Sequence, residues 1–132
     1  MRNLVMGTAN LSATGTTSAA QAWERYAQPS LWSTWAPQIQ GVETEAERLF
    51  DGATGTVHGP VGIRVNFVVT AFDDVKRQWS WTARFGPICL DLGHAVMSEG
   101  DGSRTTLKVS GPWPVVVAYL PVARFALHKL VN

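Results

Sequence analysis

The stretch AWERYAQPSLWSTWAPQIQGVE, residues 22–43, contains three of the six tryptophans of this 132-residue chain. Two prolines divide it: Pro29 suits the first turn of a helix, and Pro37 ends the helical segment before it. Trp32 and Trp35 are three residues apart, so they share one face of a helical turn. The stretch therefore predicts two successive short helices, and its tryptophan pair predicts the edge of an apolar pocket.

The first of these helices begins upstream of the quoted stretch. Ser18 supplies a cap, and Gln21 follows it at the spacing of a capping box. An apolar stripe continues at spacings of three and four through Ala19, Ala22, Trp23 and Tyr26. Residues 3–12 alternate weakly, in the manner of a strand. The chain is thus predicted to start as a strand followed by two short helices.

From residue 39 onward the apolar residues repeat with a period of two, which is typical of strands. The turns between these segments are short and rich in glycine, as in "EGDGS" at residues 99–103. The predicted inward face consists of Ile63, Val65, Phe67, Val69 and Ala71, then Trp79, Trp81, Ala83 and Phe85, then Leu90, Leu92, His94 and Val96, and finally Leu107. About six consecutive strands form an antiparallel meander with one apolar face.

The last segment, residues 112–131, predicts one long helix that begins near Pro114 and is kinked at Pro121. A helix of about twenty residues is about 30 Å long and crosses a small sheet. One helix does not fill the concave side of a curved sheet, so either large side chains fill the gap or a cavity remains between the two layers. The prediction is an α+β fold, with a curved antiparallel sheet of about seven strands around a long C-terminal helix. One domain covers residues 1–132.

Composition excludes several classes of protein. The net charge is +1, and charged residues make up 16% of the chain, so no basic surface is present to gather nucleic acid. The longest apolar segment, residues 115–127, is interrupted by Pro121 and Arg124 and is too short to span a bilayer, so no membrane insertion is expected. The N-terminus lacks the apolar core of a signal peptide, which indicates a cytoplasmic protein.

No motif for a metal or a cofactor is present. His58, His94 and His128 are far apart in the sequence, and none has a second ligand at a metal-binding spacing. The single cysteine, Cys89, cannot form an intrachain disulfide. We therefore expect no metal and no cofactor.

Three stretches of the chain are similar to a known family. They are residues 22–43, with Trp23, Trp32, Trp35, Pro37 and Val42, then GATGTVHGPVGIRVNFVVTAFDDVKRQWSWTA at residues 52–83, and HAVMSEGDGSRTTLKVSGP at residues 94–112. Together they resemble the START-like, helix-grip superfamily known as SRPBCC, in its polyketide cyclase/dehydrase branch. The resemblance covers nearly the whole chain. It implies strands wrapped around the C-terminal helix and a hydrophobic ligand held between them, with Trp32 and Trp35 at the pocket entrance or packed beneath it.

The apolar strand faces, the tryptophan pair and the inner face of the last helix supply the predicted ligand-binding residues. These are Trp32, Trp35, Val65, Phe67, Val69, Trp79, Trp81, Leu90, Leu92, His94, Leu107 and Leu120. His94 is the titratable group of the inward strand faces, and a buried imidazole needs a partner for at least one nitrogen. Tyr119 on the last helix brings a phenol to the same region.

Three functions remain open at this point. The first is binding of a lipid-like or aromatic, polyketide-like molecule. The second is a cyclase/dehydratase-type enzyme, a lyase or isomerase without a metal, with His94 as general acid or base and Tyr119 as proton donor. The third is a homodimer joined through the apolar terminal helix and the edge formed by Trp32 and Trp35. The sequence does not identify the ligand.

Overall fold

The computed structural model describes residues 5–132. Seven strands form one antiparallel sheet in the order β1-β7-β6-β5-β4-β3-β2. The strands are β1 Met6–Gly15, β2 Gly41–Glu43, β3 Thr54–His58, β4 Arg64–Asp73, β5 Gln78–Phe85, β6 Ile88–Glu99 and β7 Gly102–Pro112. The helices are α1 Ala19–Ala27, α2 Trp32–Trp35 and α3 Trp113–Leu130, with 3-10 turns at Pro29–Leu31 and Pro60–Gly62. The predicted helix-grip fold is confirmed.

The N-terminal elements follow their sequence signals closely. Ser18 caps α1, since its Oγ accepts a hydrogen bond from the backbone N–H of Gln21 at 3.2 Å. Pro29 opens the 3-10 turn that leads into α2, and α2 ends two residues before Pro37. The first strand lies later than predicted, at Met6–Gly15, and residues 3 and 4 fall outside the described part of the chain.

A β-bulge interrupts β4 and changes which side chains point inward. The pairing with β5 shifts between Val69 and Ala71, so that Ala71 lies opposite Ser80 and Phe72 lies opposite Trp79. An extra residue in one strand reverses the alternation beyond it. The prediction that Ala71 faces inward was therefore wrong, and Phe72 takes that place.

Helix α3 is continuous over its 18 residues and contains Pro121. Pro121 is exposed, so the amide hydrogen bond that a proline cannot donate is missing on the side that water reaches. At the other end, the guanidinium of Arg25 donates to the carbonyl oxygens of Leu130 at 2.6 Å and Lys129 at 3.3 Å. These carbonyls are unpaired within a helix and carry its negative dipole end, so Arg25 fastens α3 to α1.

Two apolar clusters make up the core. The first gathers the aromatic rings of α1, α2, β4 and β5. The second lies between α3 and strands β1, β6 and β7 and includes Leu107, Val109, Val116 and Leu127. The two clusters do not meet everywhere, and the space left between them is the candidate site.

Candidate ligand-binding cavity

A cavity of about 280 Å³ lies between the sheet and α3, with α2 at one end. This volume is near the lower end for small-molecule pockets and equals roughly nine water molecules at their volume in the liquid. Three alanines, Ala83 on β5 and Ala123 and Ala126 on α3, are part of its wall. Their short side chains leave room that larger apolar residues would occupy.

Nine of the residues predicted to bind a ligand line this cavity. They are Trp32, Trp35, Val65, Trp79, Trp81, Leu90, Leu92, His94 and Leu107, and Tyr119 lines it as well. The alternation of the strands accounts for seven of these wall residues, from Val65 on β4 to Leu107 on β7.

The other three, Phe67, Val69 and Leu120, lie outside the cavity lining. Phe67 faces inward, but its ring packs between those of Trp32 and Trp81, at centroid distances of 5.4 and 5.8 Å. Val69 is buried beside the bulge, where its backbone N–H bonds to the carbonyl of Ala53. Leu120 follows Tyr119 on the helix and packs against the second apolar cluster, because consecutive helical residues point about 100° apart.

Trp32 and Trp35 form an inner wall of the cavity rather than its lip. Both are buried, and their indole N–H groups donate to backbone carbonyls of α1, Trp32 to Tyr26 at 2.8 Å and Trp35 to Arg25 at 3.0 Å. These bonds hold α2 against the end of α1. The alternative in which the pair packs beneath the entrance agrees with this arrangement.

The cavity opens at the other end of the sheet. The exposed residues of its lining are Ile63, just before β4, and Phe85, at the end of β5. Strand alternation placed both on the inward face, but it did not identify them as the mouth. The position of the opening depends on where the turns lie relative to α3, and the alternation of strand residues contains no information about this.

Among residues 5–132, no Asp, Glu, Lys or Arg lines the cavity. An ionised group moved from water into such surroundings loses its hydration and finds no opposite charge. The site is therefore suited to uncharged molecules.

His94 is held by a chain of hydrogen bonds whose directions are fixed by chemistry. The Nε1–H of Trp81 donates to Nε2 of His94 at 3.0 Å. An indole nitrogen only donates, so Nε2 carries the lone pair and the neutral ring carries its proton on Nδ1. Nδ1 lies 3.2 Å from the hydroxyl oxygen of Tyr26, to which it donates.

The chain continues through two hydroxyl groups. Tyr26 donates to Oγ1 of Thr105 at 2.6 Å, and Thr105 donates to the backbone carbonyl of Ala95 at 3.0 Å. Burial raises the pKa of Tyr26 and lowers the pKa of His94 to about 3. The imidazole is thus neutral at physiological pH, and both of its nitrogens are occupied by protein groups. This arrangement weighs against His94 as a general acid or base and indicates that it joins the sheet to α1.

Three polar groups around the cavity have no hydrogen-bond partner among the described residues. The hydroxyl of Tyr119 makes no such bond, and burial raises its pKa to about 12, so it is a neutral phenol. Oε1 of Gln38 and Nε1 of Trp79 are buried and unpaired as well. Tyr119 was found from the sequence, whereas Gln38 follows Pro37 in a segment without periodicity and was missed.

Flat rings dominate one wall. Trp79 stacks on Trp81 at 5.5 Å with an interplanar angle of 17°, and on the imidazole of His94 at 4.8 Å with an angle of 14°. Stacked rings present a broad apolar face with few rotatable bonds, so contact with a ligand costs little conformational entropy. Among the described residues, no group of three or more His, Cys, Asp or Glu side chains is placed to hold a metal ion.

Comparisons with known proteins agree with this architecture. A family model described as polyketide cyclase / dehydrase and lipid transport matches residues 6–130. The solved structure of Ara h 8.0201 superposes with a TM-score of 0.77 at 15% identity, covering 96% of this chain and 95% of that one. The structure of XoxI from Bacillus cereus gives a TM-score of 0.75 at 15% identity, with 95% and 93% coverage. No curated protein matches the chain.

Proposed function

Because this chain belongs to the polyketide cyclase/dehydrase and lipid-transport family, we propose that it binds one small, uncharged, hydrophobic molecule in the cavity between the sheet and α3. The observation that supports the proposal most directly is the composition of the wall. The described residues of the wall are apolar and aromatic, include no ionic group, and include Tyr119, whose hydroxyl bonds to no described residue.

Burial of the ligand supplies the affinity. A ligand that buries about 200 Å² of apolar surface gains roughly 5 kcal/mol, before the cost of immobilising it is subtracted. That gain is consistent with binding of moderate strength. The volume favours a molecule with one or two fused rings, or a short chain, and the stacked Trp79 and Trp81 favour a flat one.

Tyr119 supplies the orientation of the ligand. Its phenol is protonated and has no partner in residues 5–132, so it donates to an oxygen of the ligand without losing a bond to them. His94 has no free nitrogen to bond with a ligand, because its ring nitrogens are bonded to Trp81 and Tyr26. In this proposal His94 keeps the wall in place, and Tyr119 contacts the polar end of the ligand.

The experiment that tests the proposal reduces the cavity without disturbing the sheet. Ala83→Leu adds three carbon atoms to the cavity wall, whereas Ala95→Leu adds the same atoms on the outward face of the neighbouring strand β6. Titration with the uncharged fluorophore N-phenyl-1-naphthylamine measures the affinity, and thermal unfolding shows that both variants fold.

We expect Ala83→Leu to weaken probe binding by about tenfold or more, which corresponds to about 1.4 kcal/mol. Ala95→Leu is expected to bind the probe like the wild type. Equal affinities in all three proteins would show that the cavity is not the binding site. Absence of binding by the wild type, to this probe and to a panel of neutral aromatic compounds, would refute the function itself.

A further inference from the structure

The two ends of the sheet differ in the character of their connections. At the end where the cavity opens, the connections read GPVGI at residues 59–63, FGPI at residues 85–88 and GPWPVV at residues 111–116, and none contains a charged residue. At the opposite end, residues 74–77 read DVKR and residues 99–102 read EGDG. Charged and polar turns are the usual case, so the charge-free end needs a reason.

The charge-free end also exposes large apolar side chains. Val61 is 98% exposed at the tip of the connection between β3 and β4, and Phe85 is 48% exposed at the end of β5. Met6 and Trp113 are exposed at the same end, where β1 begins and β7 passes into α3. We call the group Met6, Val61, Ile63, Phe85 and Trp113 the apolar rim. Exposed apolar groups collected in one place mark an interaction surface.

Val61 shows a second unusual feature. Its φ is 59°, in the left-handed region that β-branched residues rarely adopt. Backbone strain of this kind persists where the surroundings hold it, and it is concentrated at functional positions. Here the strained turn directs an apolar side chain into water at the mouth of an apolar cavity.

The rim and the cavity share residues. Ile63 and Phe85 belong to the lining and are also exposed, so the apolar surface continues from outside the protein into the cavity. A protein surface seated on the rim, including a second copy of this chain, would close the mouth. A fluid apolar phase, such as the interior of a lipid bilayer, would leave the mouth open so that the ligand can enter and leave the cavity.

Two arginines lie immediately behind the tips. Arg84 precedes Phe85 and Arg64 follows Ile63, and both are exposed. Arg64 contacts Glu43 at 3.3 Å, while Arg84 makes no ion pair within the described residues. Guanidinium groups bind phosphate with paired hydrogen bonds, and one strand residue spans only about 3.3 Å. Apolar tips with arginines just behind them match the depth order of acyl chains and lipid phosphates.

We propose that the rim docks on the surface of a phospholipid membrane, with Val61 and Phe85 in the interface, and that the ligand passes between the bilayer and the cavity there. The docking proposal depends only on the apolar rim, whereas the proposed passage of the ligand rests on the proposed ligand-binding function. In residues 5–132 no helix is long and apolar enough to cross a membrane, so the contact is peripheral. The expectation from the sequence that the chain does not insert into a membrane rested on the length of continuous apolar segments. That criterion does not detect an apolar surface formed by three short turns that are separate in the sequence.

The test uses co-sedimentation of the full chain with phosphatidylcholine vesicles. Val61→Asp and Phe85→Asp place a charge on the rim, and aspartate tolerates the backbone angle of Val61 better than valine does. The matched control is Val75→Asp, because Val75 is 94% exposed in the turn at the opposite end. Each rim variant is expected to lower the vesicle partition coefficient about tenfold or more, while the control stays within about twofold of the wild type.

Titration with N-phenyl-1-naphthylamine in the absence of vesicles separates this proposal from the function it extends. Loss of vesicle binding in Val61→Asp, with the probe still bound, supports docking at the mouth, because Phe85 lines the cavity and Val61 is outside its lining. A wild type that does not sediment with vesicles overturns the proposal, and so does a control that loses as much as the rim variants. A dimer that Val61→Asp and Phe85→Asp dissociate would assign the rim to a second copy instead. Vesicle binding without any probe binding would retain docking and remove the ligand function.

Discussion

Replacing Tyr26 and Tyr119 by phenylalanine, one at a time, tests the role of the hydrogen-bond chain. Tyr26 is buried beside the cavity and Tyr119 is half-buried in its wall, and each change removes a single oxygen. The hydroxyl of Tyr26 accepts from His94 and donates to Thr105, whereas the hydroxyl of Tyr119 bonds to no described residue. The two changes therefore differ chiefly in the number of protein hydrogen bonds that are lost.

Tyr26→Phe leaves the Nδ1–H of His94 buried without an acceptor. An unsatisfied buried donor costs about 1–3 kcal/mol, so we expect the free energy of unfolding to fall by about 2 kcal/mol. For a chain of 132 residues that loss lowers the melting temperature by roughly 6–10 °C. Tyr119→Phe leaves no partner unsatisfied, and we expect its free energy of unfolding to lie within about 0.5 kcal/mol of the wild type.

Urea unfolding followed by tryptophan fluorescence measures both variants under the same conditions, and an unchanged slope with urea shows that the comparison is valid. If the two substitutions have equal effects, or if Tyr26→Phe is as stable as the wild type, the bonds from Tyr26 to His94 and Thr105 do not hold the structure together. The reasoning about the chain, and with it the assignment of His94 as a structural group, would then be refuted.

Two further predictions follow from the charge state of the site. Burial lowers the pKa of His94 to about 3 from an ordinary value of 6.5, so the unfolded chain takes up this proton first as the pH falls. Stability contributed by neutral His94 is complete above pH 6.5, and it should decline by up to about 1.4 kcal/mol per pH unit as the pH falls from 6.5 toward 3. Urea unfolding between pH 6.5 and 5.5 avoids most carboxyl titration, because the ordinary pKa of a glutamate is 4.5. In that range His94→Gln should flatten the slope, whereas His128→Gln, at an exposed site, should retain it. A slope that survives in His94→Gln would assign the dependence to another group. For the ligand, displacement of N-phenyl-1-naphthylamine at pH 8 should show an alkanol binding at least about tenfold more tightly than the carboxylate of the same length, because the described residues of the cavity wall include no cation. Equal affinities would mean that the carboxylate stays in contact with water at the mouth.

The sequence predicted those elements whose signals are local. The capping residue Ser18, the terminating Pro37 and the alternation around Trp79 and Trp81 each act within a few residues, and each gave an element close to its observed place. The bulge in β4 escaped prediction because nothing in the apolar sequence around Ala71 marks an inserted residue. Beyond it, the alternation pointed to the wrong face.

The site was predictable as a surface but not as a network. Alternation placed His94 inside, yet its acceptor Tyr26 is 68 positions away in the sequence, and only the folded arrangement of α1 over the sheet brings them together. The same holds for Thr105, which is 79 positions from Tyr26. Partners that are distant in the sequence decide whether an inward histidine is free to react. In this protein both ring nitrogens of His94 are already hydrogen-bonded.

The three alanines of the cavity wall separate the choice of ligand from the integrity of the protein. The rings and hydroxyls that fasten α1 to the sheet are different residues from Ala83, Ala123 and Ala126, whose missing carbons create the empty space. Substitutions at these three alanines can therefore change the size of the ligand that fits, while the contacts between α1 and the sheet stay the same. The volume of the cavity is thus set by the smallest side chains of its wall and can vary independently of the fold.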